Sequence, residues 1–180
     1  MQDAYQYVVA SPLPDQSRIT HLYAQPDLAD AYSVRLPPDA SDDPEVLARF
    51  VLSQQAPWAH QLMRLRDVLV AGFGIKTSQQ LVASIDEEGQ RIYIFKIYEK
   101  SVDEIVLGEN DKHLDFRLSV MLQSQPSQPE PIRYLTISTV VHCHNHLGRA
   151  YLNLIAPFHR LIVKSYLRRA ADFGWPLRNS

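Results

Sequence analysis

The sequence predicts an α+β domain, a curved antiparallel sheet closed over a long C-terminal helix. Between Ile75 and Cys143 apolar residues recur with period two, in segments rich in β-branched and aromatic side chains. From Asn145 to Gly174 they recur instead at helical spacing, over the longest such stretch in the chain. The element order is strand, two helices, a run of strands, then one helix. Strands that follow one another without intervening helices pair antiparallel. One helix cannot cover both faces of such a sheet, so the sheet bends around it. This is a helix-grip arrangement, and it leaves room for an apolar-ligand cavity between the concave face and the helix.

Residues 1–30, with Pro12, Pro14 and Pro26 and no sustained period, read as an N-terminal arm with a short strand near Tyr5 to Val9. The domain proper then spans 31–180. Ala31 to Leu36 alternates weakly and stops at Pro37-Pro38, which suits a strand. Asp43-Pro44-Glu45 starts a helix: Asp43 caps, Pro44 has no amide proton to waste, and Glu45 favours the positive end of the dipole. A second helical stripe runs through Trp58, Leu62, Leu65, Leu69 and Phe73, with Gly72 and Gly74 at its end.

The strands follow. Ile92 to Tyr98 is one, and Glu104 to Leu107 is a short one ending at Gly108. In Leu114 to Leu122 the polar Asp115, Arg117 and Ser119 alternate with apolar residues, which predicts one dry and one wet face. Gln123 to Pro131 reads as a loop, and Arg133 to Cys143 as the last long strand. In the final helix Leu147, Tyr151, Leu154, Ile155, Phe158, Ile162 and Tyr166 form the apolar stripe. Asn145 caps it, Gly174 and Pro176 stop it, and Pro157 should kink or split it.

Composition narrows the function classes. A chain of 180 residues with 46% hydrophobic and 21% charged residues fits one globular domain. A formal net charge of −2 argues against nucleic acid as a partner. The lone Cys143 excludes an internal disulfide and suits a reducing cytosol. The N-terminus has no basic leader, and no apolar run approaches the ~18 residues of a membrane span. The chain therefore reads as cytoplasmic.

The loudest local signal is His142-Cys143-His144-Asn145-His146. On a strand His142 and His144 share a face and could offer two imidazoles to zinc. The apolar face of that strand is Leu135, Ile137, Val141 and Cys143, so the two imidazoles point away from the cavity. No Asp or Glu lies within about a dozen residues to complete a site, and neither metal nor cofactor is expected. Cys143 reads as a small core residue. His113, Asp115 and Arg117 lie two apart and could orient a polar ligand, although a wet strand face also accounts for Asp115 and Arg117. Arg66, Asp67 and Arg149 suit ion pairs tying helix to sheet, or a ligand contact. Tyr151 and His159 are about two helical turns apart near Pro157 and could orient a ligand from the helix. Arg160, Lys164, Arg168 and Arg169 make a basic stripe that the helix dipole alone would favour.

Three stretches carry a resemblance. Pro57-Trp58 with Leu62 to Asp67 and Gly74-Ile75-Lys76, then Lys112 to Ser119, then Asn145 with Gly148 to Tyr151 and Pro157 to Arg160, resemble in order the signatures of a bacterial family called domain of unknown function 2867. The resemblance covers about residues 30 to 170. It implies a fold similar to the START-like, helix-grip superfamily of polyketide cyclases and lipid-transfer proteins. Some such domains are fused behind a short-chain-type reductase, and this chain has no glycine-rich dinucleotide fingerprint. The resemblance implies no particular activity.

The leading expectation is therefore a protein that binds a small apolar or amphipathic molecule. Phe116 and Leu118 would line its cavity with Ile94 and Ile137, and Tyr151, His159, His113 and Arg66 would supply polar groups. One alternative is a cyclase- or hydrolase-type enzyme using His159 or His113 as acid or base. Another is an interaction module that forms a homodimer through the outer face of the sheet. No nucleophile–base–orienter set can be assembled from spacing alone, which favours binding over catalysis.

Overall fold

The computed structural model describes residues 7–54 and 91–178. The second expected helix, with Arg66 and Asp67, lies outside the described residues.

Seven strands form one antiparallel, curled open sheet: β1 (Val9–Ser11), β2 (Leu28–Leu36), β3 (Arg91–Ile92), β4 (Phe95–Lys100), β5 (Glu104–Asn110), β6 (Leu114–Gln125) and β7 (Ile132–Cys143). Their order across the sheet is β1-β2-β7-β6-β5-β4-β3. Helix α1 (Pro44–Ser53) joins β2 to the residues that follow, and helix α2 (His146–Phe173) ends the domain. Strands β3 to β7 are a meander of sequential neighbours, whereas β2 crosses to pair with β7, Leu28 opposite Val141 and Leu36 opposite Arg133.

Local chemistry sets the helix ends as expected. Asp43 Oδ1 accepts from the Glu45 amide at 2.8 Å with Pro44 in the first turn. Asn145 Oδ1 accepts from the Gly148 amide at 3.0 Å, and α2 ends at Gly174, φ 88°. Helix α2 runs unbroken through Pro157 for 28 residues, so the proline does not split it.

Alternation assigns the two faces of the sheet. The inner face carries Tyr32, Val34 and Leu36 from β2, Leu135 and Ile137 from β7, Leu118 and Val120 from β6, and Ile105 and Leu107 from β5. It packs on Leu47, Ala48 and Val51 of α1 and on Val163, Leu167 and Ala170 of α2. A second cluster joins Leu28, Leu114, Val141 and Cys143 to Tyr151 and Leu152 near the start of α2. Past α2, Trp175 packs on Phe50 at 6.0 Å, and an isolated bridge pairs Ala40 with Leu177.

The outer face is not wet at its centre. Residues of the N-terminal arm cross it, and Ile19 packs on Val106 and Val140 with Leu13 and Tyr23 beside it. Ser119, expected in water, is fully buried. Its hydroxyl donates to Glu104 Oε1 at 2.6 Å, as does Ser17 of the arm, also at 2.6 Å. Glu104 Oε2 accepts from the Arg18 amide at 3.2 Å. Further along that face a hydroxyl relay crosses four strands. Ser11 meets Ser33 at 2.9 Å, Ser33 meets Thr136 at 2.8 Å, and Thr136 donates to Gln123 at 2.6 Å.

Two strand expectations change. The run Ile92 to Tyr98 is a hairpin, with Ile92 opposite Phe95 and a turn at Tyr93-Ile94. Tyr93 takes the left-handed conformation (φ 59°), and Arg91 Nη1 donates to Ile94 O at 2.8 Å. Ile94 is thus a turn residue, because the turn is held by the arginine rather than by a glycine or asparagine. The expected loop 123–131 is also shorter, since β6 and β7 stay paired up to Gln125 opposite Ile132.

Glu104 is 2% exposed and holds two elements 87 residues apart. Glu104→Ala should cost about 3 kcal/mol, because Ser17 and Ser119 lose their acceptor and the arm loses its anchor. Limited trypsinolysis should then cleave after Arg18 faster than in the parent. An unchanged digestion pattern would show that the arm is held by other contacts.

Candidate functional site

The buried side of α2 is Gly148, Tyr151, Leu152, Val163, Leu167 and Ala170. Leu154 and Phe158, expected in the apolar stripe, are 51% and 38% exposed. The stripe is rotated, and in helical projection its centre passes through His159. An imidazole therefore stands where a core side chain would.

The facing strands show the same substitution. The inward series of β2 reads Leu28, Asp30, Tyr32, Val34, Leu36, and that of β7 reads Leu135, Ile137, Thr139, Val141, Cys143. Asp30 lies opposite Thr139, and Leu118 of β6 flanks Thr139 on its other side. One polar row thus crosses the inner face, between the Tyr32–Ile137–Val120 row and the Leu28–Val141–Phe116 row.

His159 Nε2 lies 3.3 Å from Asp30 Oδ1, and Arg160 Nε lies 3.6 Å from Oδ2. Asp30 Oδ2 and Thr139 Oγ1 are buried without a hydrogen-bond partner among the described residues. Beside them, burial pushes the Tyr32 phenol above its usual pKa and the Asp30 carboxylate adds to the effect. The layer offers a carboxylate oxygen and a hydroxyl to an incoming donor, next to an imidazole oriented by a carboxylate.

The other expected residues are placed as follows. Tyr151 is buried against Leu28, Val141 and Cys143. Phe116 packs on the same cluster and meets Phe95 edge-on at 5.7 Å. Leu118 is buried in the larger cluster beside Thr139. His113 is built into the start of α2: Asn145 Nδ2 donates to its Nδ1 at 3.0 Å, and its carbonyl accepts from His144 N at 2.9 Å. A Cβ on Gly148 would sit 2.2 Å from that carbonyl oxygen, so the helix docks on His113 only through a glycine. Arg66 lies outside the described residues.

Sequence reasoning missed Asp30 and Thr139. Starting β2 at Ala31 left Asp30 in the arm. The missing apolar residue at 139, between Ile137 and Val141, was the one available sign of an inward polar group.

His142 and His144 point to the outer face. Each meets a carboxylate from a distant segment, His144 Nε2 at 3.2 Å from Asp115 and His142 Nδ1 at 3.8 Å from Asp27. Tyr23 of the arm stacks on His142 at 5.2 Å. Carboxylates absent nearby in sequence are thus supplied by the fold. Among the described residues, no group of three His, Cys, Asp or Glu is arranged to hold a metal. A surface concavity of about 630 Å³ opens here between residues 22–27, His142 and Arg149. Asp27 is engaged by the Cys143 amide at 2.7 Å and by Arg149 Nε at 2.9 Å. Burial works against its ionisation, but those two donors prevail and hold its pKa below the usual value. This contribution to stability is present above the usual aspartate pKa and is lost as pH falls through the lowered one.

Burial first, then the neighbouring Asp27 carboxylate, raises the Cys143 thiol to about 11. At pH 8 the thiolate fraction is then about a hundredfold below that of an ordinary cysteine. Iodoacetamide at pH 8 should leave Cys143 unmodified in the folded protein and label it readily in denaturant. Native labelling at the rate of a free thiol would show that the end of β7 is open.

Among the described residues no helix is long and apolar enough to cross a membrane. No curated protein matches the chain, and no solved structure matches it. A family described as "Protein of unknown function (DUF2867)" matches residues 22–166, a stretch that contains Asp30, strands β2 to β7 and α2 as far as Tyr166. The chain belongs to the DUF2867 family.

Proposed function

We propose that the protein binds a small apolar or amphipathic molecule between α2 and the concave face of the sheet. The polar end of the ligand would lie at Asp30 and Thr139, below His159. A fold related to the START-like, polyketide-cyclase and lipid-transfer proteins is part of this reading, supported by a curled sheet that carries one long C-terminal helix. The observation that carries it is the buried Thr139 hydroxyl. It is 5% exposed and has no hydrogen-bond partner among the described residues, and it sits beside Asp30, whose Oδ2 makes no hydrogen bond among them and has Arg160 Nε at 3.6 Å. Leaving a buried polar group unpaired costs roughly 1–3 kcal/mol, and a ligand donor would recover that cost. The apolar body of the ligand would lie against Leu118, which continues the Asp30–Thr139 row on β6, and against Phe116 in the next row.

A second reading is an enzyme of hydrolase or cyclase type, with His159 as general base. It is favoured by the 3.3 Å contact of its Nε2 with Asp30, the base–orienter half of a catalytic set. The homodimer reading loses support. The centre of the outer sheet face, where it would have docked, is occupied by the arm.

Native mass spectrometry of protein purified from its own host should show a retained small molecule. Where a cavity adjoins Leu118, Leu118→Trp should remove that mass with little change in melting temperature, whereas a variant that fails to fold would show tight native packing there instead. Thr139→Val should weaken retention while stabilising the ligand-free protein by about 1 kcal/mol, because it removes an unpaired hydroxyl. A ligand-free parent, together with a destabilised Thr139→Val, would mean that the hydroxyl already has a partner, and the reading would fail.

A further inference from the structure

We propose, resting on the binding reading above, that the molecule held at Asp30 and Thr139 is a neutral alcohol. It is an apolar body that ends in one hydroxyl, and not a carboxylic acid, an amine or an ester.

Asp30 of β2 and Thr139 of β7 are directly opposed, and opposed residues set their Cβ atoms about 4.5–5.5 Å apart. Even so, the two side chains do not bond each other. Thr139 Oγ1 has no hydrogen-bond partner among the described residues, and neither has Asp30 Oδ2. A carboxylate oxygen only accepts, whereas a threonine hydroxyl both donates and accepts. A ligand hydroxyl answers both from a single atom: its proton goes to Asp30 Oδ2, and its oxygen accepts from Thr139.

The charges already in place disfavour the ionic alternatives. Asp30 Oδ1 accepts from His159 Nε2 at 3.3 Å, and Arg160 Nε stands 3.6 Å from Oδ2. An incoming ammonium would share Oδ2 with that guanidinium, like charge beside like charge. A carboxylate would set its oxygens against those of Asp30. The nearby cations are engaged, Arg160 with Asp30 and Lys164 over the Tyr32 ring at 5.1 Å. A ketone, ester or ether has lone pairs but no proton to give. It would pair with Thr139 and leave Asp30 Oδ2 facing another acceptor.

The neighbouring positions admit only one such group. Leu118 continues the polar row on β6, and the next row, about 6–7 Å along the strands, is Leu28, Val141 and Phe116. A second hydroxyl placed there would be buried without a partner.

The test is a matched series titrated into the full chain at neutral pH and followed by calorimetry: decanol, decyl methyl ether, decanoate and decylamine. Decanol should bind about tenfold more tightly than the ether, which has the same body and oxygen but no proton to donate. It should also bind more tightly than either ion. Asp30→Asn should erase the preference for decanol over the ether, because the amide can offer a proton where the carboxylate could not. Equal affinity for decanol and its ether overturns the proposal and leaves the binding reading standing, as does tighter binding of decanoate or decylamine. Binding of none of the four overturns it too. The binding reading then falls with it only if protein purified from its own host carries no retained molecule.

Discussion

The carboxylate of Glu104 is buried at the start of β5, and most of the outer architecture hangs from it. A charge placed there is tolerable only if its oxygens are occupied by donors. Two of those donors, the Ser17 hydroxyl and the Arg18 amide, come from the arm, so satisfying the charge and fastening the arm are one event. With the arm in place Ile19 seals Val106 and Val140, and the sheet is covered on both sides.

The inner face is divided by its own polar row. Asp30 and Thr139 separate the cluster around Val163 and Leu167 from the one around Tyr151 and Leu152. A protein built only for stability would place a valine at 139 and a leucine at 159. Instead, three elements each give up one core position, and the three positions coincide in space.

The elements were legible in the sequence where local rules govern. Asp43-Pro44-Glu45 and Asn145 declared the helix starts, and the alternations of β6 and β7 declared their strands. What could not be read depended on partners far along the chain. Nothing local marks Glu104 as buried, because the Ser17 that makes its burial possible is 87 residues away. The turn at Tyr93-Ile94 has no glycine or asparagine, so a hairpin looked like one strand. The stripe of α2 was placed off-centre because Leu154 and Phe158 are as apolar as core residues, and only exposure distinguishes them. The candidate site suffered most. His159 was visible as a histidine on an apolar helix, but its meaning depended on Asp30 and Thr139, which lie on strands whose register only the folded sheet reveals.

The crossing of β2 to β7 also has a consequence in time. Strands β3 to β7 follow one another through short connections, so the chain entropy lost in pairing them is small at each step. Joining β2 to β7 brings together Ser33 and Thr136, 103 residues apart, and that closure is rewarded only if the edge of β7 already exists as a template. The meander is therefore the natural nucleus, and the N-terminal third of the chain is recruited to it. During biosynthesis that third emerges first and must wait for its partner strand. Until β7 has been made, Tyr32, Val34 and Leu36 have no sheet to enter, and the nascent chain carries them as exposed apolar surface.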